Sequence, residues 1–169
     1  MTADERGLAA FNALDLRAAE GELRACCASR AWADEVAAGR PYPDRAALLT
    51  RADDALGGLA WPDILEALDA HPRIGEPAEG DGREATWSRR EQSGMDSADD
   101  ATRAALAEAN RAYERRFGHV FLIFASNRTD AEMLAAARER LGNDEESERE
   151  VVRGELRKIT ILRLERLLS

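Results

Sequence analysis

Residues 129–168 read TDAEMLAAARERLGNDEESEREVVRGELRKITILRLERLL, and their punctuation decides the fold class. Thr129-Asp130-Ala131-Glu132 has the spacing of a capping box, in which a hydroxyl at the helix start accepts from a backbone N–H three residues on. A helix then runs to Leu141, and Gly142-Asn143 supplies the kind of stop that helix ends favour. The next helix spans Asp144 to Leu168. Acidic residues crowd its first half, where the positive end of the helix dipole stabilises them. Val152, Leu156, Ile159 and Leu162 recur at helical spacing as its core stripe.

Upstream the same period recurs, with one interruption. Phe117-Gly118-His119-Val120-Phe121-Leu122-Ile123-Phe124 is apolar on every side, so it reads as a buried short strand or an enclosed turn. Helical sequence precedes it from about Ala98 to Arg116 and from Thr86 to Met95. Before those lies the longest loop-like stretch, Arg73 to Gly82, opened by Pro72, which pushes the residue before it out of the α region. Pro72 therefore ends a helix that starts near Trp61-Pro62-Asp63 and carries Ile64, Leu65 and Leu68 up to His71. An earlier helix runs from about Asp44 to Leu56 and closes at Gly57-Gly58; Trp32 and Val36 belong to one that stops at Gly39. Phe11, Leu14 and Ala18 form a stripe that Leu23, Cys26 and Cys27 continue. There is no internal repeat, linker or sustained heptad. The pattern predicts an all-α, single-domain helical bundle of about eight helices over residues 1–169.

The chain is 169 residues long, 44% hydrophobic and 34% charged, which fits one globular domain and excludes disordered and fibrous classes. Its net charge is 24 − 33 = −9, a balance that argues against partners such as nucleic acid or an anionic membrane surface. No apolar run approaches the ~20 residues that cross a bilayer. The only cysteines, Cys26 and Cys27, are adjacent, so they offer neither a disulfide framework nor a zinc set and read as buried thiols in a reducing compartment. Met1-Thr2-Ala3-Asp4-Glu5-Arg6 lacks the basic start of a signal peptide, and Arg166-Leu167-Leu168-Ser169 is no peroxisomal address. A cytoplasmic location is expected.

Only two histidines are available for acid–base chemistry. His71 stands at a helix end against Pro72, a rigid mount for a general acid; the alternative is a histidine that satisfies terminal carbonyls. His119, inside the apolar run, reads as a packing residue. Ser88-Arg89-Arg90-Glu91-Gln92 has two readings. It is a Ser-x-x-Glu capping box, or Glu91 orients His71 while Gln92 offers a donor and an acceptor to an amide-rich ligand. Arg128 is a surface arginine or a fork for a substrate carboxylate. Phosphate loops, dinucleotide fingerprints, metalloprotease motifs and metal-ligand spacings are missing, so no metal is expected. From the residues alone, a small-molecule enzyme and a non-catalytic helical binding or interaction protein both stand.

His71-Pro72-Arg73-Ile74-Gly75-Glu76, Glu91-Gln92 and Asn110-Arg111-Ala112-Tyr113-Glu114-Arg115-Arg116-Phe117-Gly118, in that order and spacing, resemble the OHCU decarboxylase family. So do Phe11-Asn12-Ala13-Leu14, Cys26-Cys27-Ala28-Ser29 with Trp32, Arg40-Pro41, and Arg138 to Asn143 before a long helix. The resemblance covers nearly the whole chain. It implies an all-helical homodimer that decarboxylates 2-oxo-4-hydroxy-4-carboxy-5-ureidoimidazoline in urate breakdown. It implies His71 as catalytic acid with Glu91 beside it, and Pro72, Ser88 and Gln92 lining the site. It also implies that backbone groups of Phe121, Leu122, Ile123, Phe124 and Ala125 hold the ureido and ring amides, with Arg128 just beyond. Phe124 stands where a smaller residue such as Cys or Thr is expected, and Asn127 where Gly is common. The ring C=N of such a substrate is its own electron sink, so no cofactor is expected.

Overall fold

The computed structural model of the chain describes residues 1–76, 82–93 and 99–169. Among these residues there are nine helices, one more than expected, and no strand. They are α1 (Ala3–Ala13), α2 (Leu16–Cys26), α3 (Arg30–Ala38), α4 (Arg45–Gly57), α5 (Trp61–Leu68), α6 (Arg83–Glu91), α7 (Asp100–Phe117), α8 (Asp130–Arg140) and α9 (Glu145–Leu168). The extra element comes from the N-terminus. Asp15 caps α2 by accepting from the Ala18 N–H, which breaks the Phe11–Leu14–Ala18 stripe into two helices.

Short polar side chains start most of these helices. Thr2 forms a full capping box with Glu5, and Ser29, Asp44, Asp99, Thr129 and Asp144 each accept from the backbone N–H three residues on. At Thr129 the hydroxyl also donates to the Glu132 carboxylate, at 3.1 Å. Ser88 is not such a cap. It lies inside α6, whose start is Gly82, and it is buried. The expected helix ends at Met95 and Ala98, and the Pro77–Asp81 part of the long loop, lie outside the described residues.

The chain divides into two compact units, Met1–Ala67 with Arg157–Ser169, and Leu68–Leu156. In the first, α2, α3 and α4 pack through Leu23, Cys26, Trp32, Val36, Leu48 and Leu56. The Trp32 indole N–H donates to the Ala52 carbonyl at 2.9 Å, so its one polar atom is satisfied in the core. Arg40 donates to the carbonyls of Phe11 and Leu14 at the C-terminus of α1, and the first of these also accepts from the Leu14 N–H at 3.3 Å. Cys26 and Cys27 are buried and form no disulfide. In the second unit α7 packs on α8 around Leu106, Tyr113, Phe121, Ile123, Met133 and Ala137.

The core stripe of α9 differs from the expected one after Ile159. Leu164 and Leu168 are buried, Leu162 is only partly so, and Arg163 occupies a buried position on the helix.

Candidate functional site

Two irregular stretches of the second unit carry residues singled out by the sequence. The first follows α5. That helix ends at Leu68, so His71 sits a turn beyond it, its N–H donating to the Leu68 carbonyl at 3.0 Å. The next residues are held one after another. Arg73 grips Glu114 of α7 with two nitrogens, at 2.6 and 3.2 Å. The Ile74 carbonyl accepts from Asn110 Nδ2 at 2.8 Å. Gly75, at φ 91, takes a left-handed turn closed to most side chains, and its N–H donates to Gln92 Oε1 at 2.9 Å. The loop that follows His71 and Pro72 is pinned by α7 and by the end of α6.

His71 and Pro72 line a cavity of about 480 Å³ together with Glu76, Glu114, His119 and Val120. His119 is thus a wall of this cavity as well as a packing residue. Its ring meets Tyr113 edge-on at 5.5 Å, and its Nδ1 lies 3.0 Å from the Val120 carbonyl oxygen. A neighbouring cavity of about 300 Å³ shares Arg73, Glu76 and Glu114 and adds Arg103, Asn110 and Arg111. Among the described residues, the walls of the His71 cavity come from residues 68–76, Glu114 and 118–120, not from α6 or from residues 121–128. Nor does any group of three or more His, Cys, Asp or Glu among those residues form a metal nest.

The second irregular stretch begins where Gly118, at φ 79, caps α7 in the left-handed conformation. Phe121, Leu122, Ile123 and Ala125 are buried and Phe124 is half-buried, so the second half of the apolar run is enclosed, without strand pairing, whereas Phe117, His119 and Val120 are only half-buried and Gly118 is exposed. The Leu122 carbonyl accepts from Arg140 Nη1 at 2.7 Å and the Phe124 carbonyl from Arg128 Nε at 2.9 Å. The Ala125 carbonyl accepts from the Arg128 N–H at 3.1 Å. Among the described residues no partner engages the N–H groups of Phe121 through Ala125. Buried backbone donors are almost always paired, so a run without a partner among the described residues is unusual. Asn127 follows at φ 63, which explains why glycine suits this position and why asparagine, among the most tolerant of other residues there, replaces it.

On α6 the buried face carries Ser88 and Glu91 one turn apart among Ala85 and Trp87. A buried carboxylate demands hydrogen-bonding company, which sets Glu91 apart from the exposed acidic residues of the chain. Gln92 reaches the first irregular stretch through Gly75. Sequence reasoning missed the residues that hold both stretches in place, Asn110 and Glu114 behind the loop and Arg140 behind the apolar run. Asn110 and Glu114 are four apart on α7 and so share a face, a signal the spacing contained.

The family model for OHCU decarboxylase matches residues 12–165. The uric acid degradation bifunctional protein TTL of Arabidopsis thaliana is 36% identical over 154 residues, which are 89% of this chain and 47% of that protein. The chain therefore spans about half the length of the curated relative it matches. A crystal structure of OHCU decarboxylase in the presence of (S)-allantoin superposes with a TM-score of 0.76 at 34% identity, covering 88% of this chain and 97% of that one. A crystal structure of (S)-allantoin synthase superposes with a TM-score of 0.72 at 18% identity, covering 96% and 53%, a likeness of fold. With the family model spanning both irregular stretches and the all-α architecture matching along almost the full length of a solved member, the chain belongs to the OHCU decarboxylase family.

Proposed function

We propose that this chain decarboxylates 2-oxo-4-hydroxy-4-carboxy-5-ureidoimidazoline to (S)-allantoin without a cofactor, with His71 as acid and Glu91 as its partner. The observation that carries the reading is the mounting of His71. It lies beside Pro72 on a loop fixed residue by residue through Arg73, Ile74 and Gly75, and it faces a cavity large enough for a small heterocycle.

Each residue then has a physical task. The Arg128 Nε is committed to the Phe124 carbonyl, while its two terminal nitrogens have no partner among the described residues and present a fork. A fork that turns the carboxylate out of the ring plane aligns the breaking C–C bond with the ring π system. The electron pair of that bond moves into the ring C=N as CO2 departs, leaving an enol-like intermediate. His71 delivers a proton to one face of the ureido-bearing carbon that was the C=N carbon, while the enol hydroxyl proton passes to the ring nitrogen and the carbon that lost CO2 becomes the ring carbonyl, so a single enantiomer results. The buried Glu91 fixes the imidazole tautomer, as an orienting carboxylate does beside other catalytic histidines. In this reading Ser88 and Gln92 of α6, and the open N–H groups of Phe121 to Ala125, meet the ureido and ring oxygens from beyond the described walls of the His71 cavity. The working form is a homodimer, as the family implies, in the cytoplasm, as the sequence leads one to expect.

The test generates the unstable substrate in place from urate with urate oxidase and hydroxyisourate hydrolase, adds the protein and follows circular dichroism. Rapid formation of one allantoin enantiomer is expected. His71→Asn should keep the far-ultraviolet spectrum of the folded protein while losing at least ~100-fold in kcat, the usual scale of general acid–base help. Racemic product at the rate of the protein-free control would overturn the reading. Near-normal turnover by His71→Asn would remove His71 from it.

A further inference from the structure

Behind the apolar run stands a buried polar cluster that the proposed chemistry does not use. Arg140, at the end of α8, donates from Nη1 to the Leu122 carbonyl at 2.7 Å and from Nε to Glu148 Oε1 at 2.8 Å. Its Nη2 also lies 2.6 Å from that oxygen, but without hydrogen-bond alignment, so the other two bonds set the orientation. The guanidinium covers the Phe121 ring at 4.6 Å and lies 5.7 Å from the Tyr113 ring. Glu148, in the first turn of α9 and fully buried, accepts in addition from the Tyr113 hydroxyl at 2.6 Å and from Asn143 Nδ2 at 2.9 Å. Burial, reinforced by this bond to Glu148, pushes the Tyr113 phenol far above its ordinary range, so it remains a donor.

A pair of apolar side chains would fill this volume at lower desolvation cost than a buried ion pair. What apolar side chains cannot do is hold a carbonyl. The Leu122 oxygen and the Ile123 N–H belong to one rigid, trans peptide plane and point in opposite directions. Clamping the oxygen therefore aims the N–H. Arg128 does the same one step along, where the clamped Phe124 oxygen aims the Ala125 N–H.

We propose that Arg140, braced by Glu148, is a positioning residue that aims the Ile123 N–H at an acceptor oxygen of the substrate's ring or ureido group. The inference rests on the reading of residues 121–125 as a substrate-holding segment and names what holds that segment.

Arg140→Lys is the informative variant. It keeps a buried positive charge beside Glu148, but one ammonium lacks the fixed fork that joins Glu148 and the Leu122 carbonyl at once. Its KM in the coupled assay should rise about tenfold, the scale of one misdirected hydrogen bond, with kcat within about threefold of wild type. In the free protein the Ile123 amide resonance should move while the amides of α7 and α8 away from the cluster stay in place. Adding (S)-allantoin should shift the Ile123 amide in wild type and not in the variant. A merely structural role would lower the melting temperature and leave both KM and the Ile123 resonance unchanged, which overturns the proposal. Two further outcomes separate it from the reaction itself. If wild type shows neither turnover nor an (S)-allantoin shift at Ile123, both readings fall. If wild type lacks turnover but shows that shift, and Arg140→Lys abolishes it, the positioning role stands in a protein that binds without catalysing.

Discussion

An arginine–carboxylate pair involving α9 occurs in each compact unit, and the environments differ sharply. In the first, Arg157 meets Asp53 through two parallel bonds of 2.8 and 2.6 Å, with both side chains more than a third exposed. In the second, Arg140 meets Glu148 with less regular geometry but almost no exposure, 8% and 1% for the two side chains. The better-formed pair stands in water, where ordering two long side chains cancels most of the Coulomb gain. The poorer one is cut off from water, so each charge depends on the other. Unit one fills its interior with Trp32, Leu48, Leu56 and similar side chains, whereas unit two buries Arg140 and Glu148 where the backbone leaves the helix. The Arg140–Glu148 pair sits beside irregular backbone, whose main-chain carbonyls lack helical partners and need a side-chain donor, whereas the buried charges Glu91, Glu155 and Arg163 lie on helices.

The sharpest way to break that contrast is Arg140→Met. Glu148 would remain buried with its cation gone, a situation that costs about 3–5 kcal/mol. For a chain of this length each kcal/mol lowers the melting temperature by roughly 2–4 °C, so calorimetry should show a drop on the order of 10 °C. Adding Glu148→Leu should recover part of it, since no orphaned charge is then left. An unchanged melting temperature in the single variant would show the pair is not buried as described.

Next in size is an alkaline effect in the first unit. Burial of the Cys27 thiol raises its pKa from 9.0 to about 11, against smaller opposing contributions from Ser29, Thr160 and Arg163. The unfolded chain ionises this thiol near its ordinary value, and the folded chain resists until about two units higher. The stability Cys27 protects is therefore complete below pH 9 and is lost as pH rises from 9 towards 11. The loss amounts to at most about 3 kcal/mol. Cys27→Ala should flatten the stability curve across that window in chemical denaturation. Equal slopes in the two proteins would show that the thiol is solvated.

The parts of this structure that a reader of the sequence could see are those decided locally. Asp44, Thr129 and Asp144 mark helix starts because a cap needs only its own next three residues. His71 stands out because the chain has two histidines and Pro72 follows it. Where local pattern is degenerate the reading fails. Ser88-x-x-Glu91 has capping-box spacing, yet helix α6 starts five residues earlier and both side chains face inward. The burial of residues 121–125 was legible from their composition, but their lack of strand pairing was not, since an unbroken apolar run carries no period. Arg140 and Glu148 look like ordinary dipole-complementing charges at helix ends. Only partners far along the chain, the Leu122 carbonyl and Tyr113, take them out of water.

The smallest effect is expected at the best-shaped ion pair. The Arg157 hydrogen bond is the main cause holding Asp53 below the ordinary carboxylate value of 3.8, with burial opposing it. A carboxylate whose pKa is depressed on folding adds stability above its unfolded value and loses it as pH falls through the folded one. Asp53→Asn should thus cost no more than about 1 kcal/mol at neutral pH, because solvent screens a pair this exposed. The gap between variant and wild type should close as the solution is taken well below pH 3.8, and it should shrink with added salt. A loss at neutral pH as large as that of Arg140→Met would mean that geometry, rather than burial, sets the worth of these pairs. The contrast between the solvated Arg157–Asp53 pair and the buried Arg140–Glu148 pair would then fail.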